Sequence, residues 1–198
     1  MMKKRKLTER LNRKPYGAQR VLDICYHEAG HIVAALKFNL GILSGVKVSR
    51  YDRGTRRRGG RQVWGGRVLT ERTGTLEQVA VFAQAGYASE KRFNARPTDY
   101  GNLSLDQNLF MESLGVEGGQ YLCEWDKCMN SKTLPFVQSN WRFIAAIAQG
   151  LIRQRHHTLS KQRIIGLYEA VTLRYPAKVA VHEAAHVVMS EGGWPRCR

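Results

Sequence analysis

No apolar run in this 198-residue chain approaches the roughly 20 residues that a membrane-spanning helix needs. The basic opening segment has no apolar stretch behind it, so neither a signal peptide nor a membrane anchor is expected. Cysteine is scarce. The four present (Cys25, Cys123, Cys128, Cys197) form no Cys-x-x-Cys pair, which argues against a zinc ribbon. Cys25 stands among apolar residues and reads as a buried, reduced thiol, and a cytoplasmic location is the expectation. Carboxylates are few as well, 16 against 32 lysines and arginines, for a net charge of +16. Apolar surface is plentiful: 43% of residues are hydrophobic, enough for one domain with a real core rather than a disordered chain.

Two segments carry most of the excess charge. Residues 1–20 hold Lys3, Lys4, Arg5, Lys6, Arg10, Arg13, Lys14 and Arg20 against Glu9 alone, a net +7. Residues 46–72 hold nine basic residues against Asp52 and Glu71, again a net +7. Such clusters suit an acidic partner, whether nucleic acid, an anionic surface or an acidic substrate. The plainer alternative is a solvated tail and loop tip that keep the protein soluble. The tail has no interleaved aromatics, and the sequence carries no recognised nucleic-acid-binding motif.

The chemistry concentrates in His27-Glu28-Ala29-Gly30-His31, an H-E-x-x-H pattern inside an apolar run of helical period. Residues four apart on a helix share a face, so His27 and His31 can present two imidazoles to one metal. Glu28 is placed to act on a metal-held water rather than to ligate. A five-residue pattern also recurs by accident, so its context decides.

The chain reads mainly as helix. Apolar periodicity predicts a helix from about Ala18 to Phe38, stopped at Asn39-Leu40-Gly41 with Gly41 as the C-terminal residue. Val46 and Val48, then Val63 and Val68, fall in two short strand-like runs joined by the Gly- and Arg-rich loop Asp52–Gly60. A strand beside such a helix is where a peptidase adds an extended substrate to a sheet edge. Further helices are expected from Thr75 to Phe93, around Leu109–Leu114, and from Trp141 to Arg155, and a last one follows Ser160 as N-cap. Residues 120–138 stay ambiguous. His156 and His157 sit at a helix end and read as solvent-exposed rather than ligating.

His27-Glu28-Ala29-Gly30-His31-Ile32-Val33-Ala34-Ala35 and the later run Ala85-Gly86-Tyr87-Ala88-Ser89-Glu90-Lys91-Arg92-Phe93 resemble, in order, two elements of the FtsH-type zinc metallopeptidase domain. The resemblance spans about residues 20–172 and suggests a stand-alone relative without the ATPase. It implies a mainly α (α+β) fold, a zincin-like helical peptidase domain with a small β-hairpin or edge-strand element. Its parts would be a basic tail (1–18), the peptidase domain (19–172) and a C-terminal helix (173–198). It also implies zinc as cofactor and an aspartate at the start of the next helix as third ligand. Leu103-Ser104-Leu105-Asp106-Gln107 occupies that place and points to Asp106, with Asp99 the fallback; Leu105 departs from the asparagine the family has there. Without a ligand role, Asp106 would be an exposed residue near a helix N-terminus.

A second copy of the pattern, His182-Glu183-Ala184-Ala185-His186, lies near the end of the sequence in similar apolar surroundings. It is a structural or vestigial helix, a second metal site completed by another residue or subunit, or a competitor for Asp106. Two functions follow. One is a zinc endopeptidase acting on flexible or unfolded polypeptides, alone, as a homo-oligomer or fed by a separate unfoldase, with Glu28 as general base. The other is a non-catalytic, metal-stabilised scaffold whose residues 1–20 and 46–72 bind an acidic partner such as nucleic acid.

Overall fold

A helix that is apolar on every side has to be buried on every side. In helix α1 (Val21–Lys37) every residue from Leu22 to Ala35 is buried, including Asp23, His27, Glu28 and His31. The computed structural model describes residues 21–53, 61–71, 73–94, 103–115 and 120–175, and α1 runs through the middle of that body. Helix α2 (Leu76–Phe93) packs along it, α3 (Leu103–Leu114) packs on α2, and α6 (Trp141–Arg153) covers another side of α1. The architecture is mainly α with a small antiparallel β element, as the sequence implies.

Local signals set most helix ends. Thr75 opens α2 with a reciprocal cap: its hydroxyl accepts from Gln78 N–H (3.2 Å), and its own N–H donates to Gln78 Oε1 (2.9 Å). The end of α1 differs from expectation. Asn39, at φ 53°, takes the left-handed position, and Leu40 N–H reaches Ala35 O while Asn39 N–H reaches Leu36 O. That is a Schellman cap with Asn39, not Gly41, as its turning residue. Gly41 (φ 67°) then redirects the chain past Glu71, whose N–H bonds both Leu40 O and Gly41 O.

The segment that was ambiguous by sequence is helical with a fault in it. Helix α4 (Tyr121–Cys128) passes through a π-helical turn, Met129–Thr133, into α5 (Leu134–Ser139). Pro135 has no N–H to offer a regular helix, and in the wider turn Leu134 N–H reaches back to Met129 O. Buried Gln84 on α2 fixes this turn by donating to Trp125 O (2.8 Å) and accepting from Thr133 Oγ1 (2.7 Å).

The strands form two ladders. β2 (Ser49–Arg53) and β3 (Arg61–Gly65) make the expected hairpin, with Ser49 opposite Gly65 and Arg53 opposite Arg61. β1 (Val46–Lys47) pairs instead with β4 (Thr158–Leu159), a contact more than a hundred residues away in sequence. β4 leads into α7 (Lys161–Arg174), capped by Ser160 Oγ accepting from Arg163 N–H (3.2 Å). That helix ends two residues past the expected domain limit.

Aromatic side chains tie the helices together: Tyr26 of α1 stacks between Phe93 of α2 (4.0 Å) and Trp141 of α6 (5.4 Å). Phe110 of α3 meets Trp125 of α4 edge-on at 5.0 Å. Ile144 of α6 is fully buried in this core. Replacing it with alanine should cost about 2–5 kcal/mol of stability in urea denaturation, through lost apolar burial and the cavity left behind. A cost under about 1 kcal/mol would mean that α6 is not packed as described.

Candidate metal centre

Two helices meet unusually closely at the motif. A Cβ at Gly30 of α1 would strike the Ala85 carbonyl and Ser89 hydroxyl of α2, and a Cβ at Gly86 of α2 would strike Nε2 of both His27 and His31. Each helix thus gives up a side chain where the other presents its polar groups. The α2 stripe Phe82–Gly86–Glu90 steps by four residues and lies against the α1 pair His27–His31, matching helical period to helical period.

His31 Nδ1 is 2.8 Å from the Phe82 carbonyl, and His27 Nδ1 is 3.3 Å from Glu90 Oε2. Carbonyl and carboxylate oxygens only accept, so each ring donates its Nδ1 proton. In a neutral imidazole that leaves Nε2 as a bare lone pair. The two Nε2 atoms stand 3.1 Å apart, and Asp106 Oδ2 lies 3.2 Å from one and 3.4 Å from the other. Asp106 Oδ2 is buried and makes no hydrogen bond among the described residues.

Three acceptors facing one another this closely repel unless something positive stands among them. Donors 2.0–2.1 Å from a shared tetrahedral ion lie about 3.3–3.4 Å from each other, which this triangle fits. The donor set of two imidazoles and one carboxylate suits a divalent metal with one position left open. Glu90 and the Phe82 carbonyl supply the partners that fix ligand tautomer and orientation.

Without a metal, protons respond to the same field. Burial opposes charging His27, but the carboxylates of Asp106 and Glu90 beside it win and raise its proton affinity well above the ordinary 6.5. Burial likewise opposes an ionised Asp106, yet His31 and His27 together hold its carboxyl well below the usual carboxylate range. Glu28 is buried (3% exposed), and its proton affinity is raised, first by burial and then by Asp106, against the lowering pull of the two histidines. Gly66, just after β3, brings its backbone against the Glu28 side chain: a Cβ there would come within 2.6 Å of Oε1.

The structure thus brings His27, His31 and Asp106 together with Glu28 alongside. Asp99, His182, Glu183, His186 and residues 1–20 lie outside the described residues. Of the other two histidines, His156 is exposed, whereas His157 is half-buried, with Nδ1 3.1 Å from Leu151 O, so only the first matches the expectation of exposure. Sequence reasoning missed the supporting roles of Glu90, Phe82 and Gly86, although their shared four-residue spacing is a usable signal once α2 is set facing α1.

Two outcomes are expected. Gly86→Ala should abolish metal binding in a competition titration with a chromogenic chelator while the far-UV circular dichroism of the protein is retained. Metal affinity should start to fall with decreasing pH already above 6.5, because the metal must displace the proton that His27 holds. In the metal-free protein the sign reverses. Charged His27 contributes stability below pH 6.5, and that contribution is lost as pH rises through the raised folded value.

No family model matches this sequence, and no curated protein matches it significantly.

Proposed function

We propose that this protein is a zinc-dependent metalloendopeptidase that cleaves flexible or unfolded polypeptides. The observation that carries the reading is the triangle of His27 Nε2, His31 Nε2 and Asp106 Oδ2, with buried Glu28 beside it. Bound zinc would supply Lewis acidity, polarising a carbonyl oxygen and bringing a water ligand's pKa to about 7. His27, His31 and Asp106 would hold it.

Glu28 is the general base. It takes a proton from the attacking water and gives it to the amine that leaves, so one carboxylate serves both halves of the reaction. β3 pairs with β2 on one edge and, among the described residues, with no strand on the other. A polypeptide laid along that open edge would form main-chain hydrogen bonds and run towards Gly66, where the protein backbone lies against Glu28. Only extended, flexible segments can bind in this way. The resemblance of residues 20–172 to FtsH-type peptidase domains points to the same chemistry.

The test is cleavage of an unfolded, fluorescence-quenched polypeptide by the zinc-loaded protein. Glu28→Gln should lower the rate by about 10²–10⁴-fold with zinc content unchanged. His31→Ala should lose both zinc and activity, and chelation should abolish activity that added zinc restores. A zinc-loaded wild type inert towards every unfolded substrate would favour the non-catalytic scaffold.

A further inference from the structure

From Lys127 to Tyr168 the chain contains no aspartate or glutamate, yet it holds seven lysines and arginines. Lys132 is paired with Glu77, and Arg142 lies over the Tyr175 ring. Arg153, Arg155, Lys161 and Arg163 are exposed and have no ion pair among the described residues. They flank a single corner where α6 ends, β4 passes and α7 begins. Exposed His156 lies in the same turn, and exposed Lys47 faces Thr158 across the β1–β4 ladder.

The corner is held rigidly. His157 takes a left-handed backbone (φ 47°), its carbonyl accepts from Val48 N–H (2.9 Å), and its Nδ1 is 3.1 Å from Leu151 O. Thr158 Oγ1 donates to the His156 carbonyl, and Ser160 caps α7. The cations therefore project from a backbone whose shape is already fixed, which lowers the ordering cost of binding.

We propose that this corner binds the phosphate backbone of nucleic acid without regard to sequence. Several unpaired cations around one rigid corner match the charge of a polyanion. Leu151, Leu159 and Ile164 of the corner are buried and Ile152 and Ile165 are half-buried, so the face offers little to insert into a bilayer. It also lacks the exposed aromatic anchor that a protein interface is usually built on. Lysine and arginine contacts to phosphate carry no sequence information of their own. The surface involves neither the metal triangle nor residues 1–20, and it stands whether or not the protein cleaves peptides.

The test is fluorescence anisotropy of labelled DNA of about 20 nucleotides, as single strand and as duplex, from about 50 to 200 mM salt. The full-length protein is compared with R153Q/R155Q/K161Q/R163Q. Wild type should bind at low salt with a steep salt dependence. The variant should bind on the order of 10–100-fold more weakly, with a log–log salt slope shallower by about 3–4 on duplex. Its metal content and circular dichroism should be unchanged, and R155Q/K161Q serves in its place if the fourfold variant does not fold. Stronger binding by one probe tells single strand from duplex. Absence of wild-type binding at low salt would overturn the proposal, as would a variant with wild-type affinity and slope. Equal loss of binding to phosphatidylserine vesicles in the absence of any DNA binding would overturn it too.

Discussion

Two imidazole lone pairs and a carboxylate oxygen, all within 3.4 Å of one another in a buried space, are the constraint on which the rest of this structure depends. Left alone, such a group is costly: each acceptor has lost its water and gained repulsive neighbours. A cation removes the conflict. In the metal-free protein a proton on His27 is the available cation, and this is why His27 holds one so firmly while Asp106 stays ionised. A divalent metal would do the same with more charge. Its binding would then be coupled to folding, because the three donors come from two separate helices that must already be packed.

That coupling explains an arrangement that otherwise runs against ordinary packing. Helix α1 carries Asp23, His27, Glu28 and His31 into the core, where charged groups seldom go unless partnered. Three of the four have a hydrogen-bond partner: Asp23 accepts from Asn94, His27 meets Glu90, and His31 donates to the Phe82 carbonyl. Gly30 and Gly86 make the room, each opposite the other helix's polar groups. An alanine at either place would need the helices to part, and the hydrogen bonds that set the imidazoles depend on their closeness. The apolar clusters around Tyr26 and Phe110 hold α1, α2, α3 and α6 in the register that this fit needs.

How much of this can be read in the residues depends on range. The His27–His31 pair is legible because four residues span one helical turn, a purely local fact. The caps at Thr75 and Ser160 are local in the same way. Asp106 is not: 75 residues separate it from His31, and only a family resemblance singles it out. Glu90 sits in an apolar stripe where its charge could have signalled a buried partner, but the partner is again remote. The pairing of β1 with β4 has no signal in two-residue strands, whose partners lie more than a hundred residues apart. At the end of α1, Asn39 and Gly41 can both adopt a positive φ, and tertiary contact with Glu71 decides which does which.

The two charged regions of the molecule differ in kind. Inside, the charged groups of the candidate metal centre are buried beside one another, with His27 between Glu90 and Asp106. Outside, at the α6–α7 corner, charge of one sign is left unmatched and is held in place only by backbone bonds and a helix cap. Unpaired surface cations add little to stability and somewhat oppose it through mutual repulsion. They do set a potential that extends about a Debye length, roughly 8 Å at physiological salt, beyond the surface. The His27–His31–Asp106 triangle has the donors for a cation and the corner has the charge for an anion, and the hydrogen bonds that hold the two share no residue. Substitution at one is then expected to leave the other undisturbed.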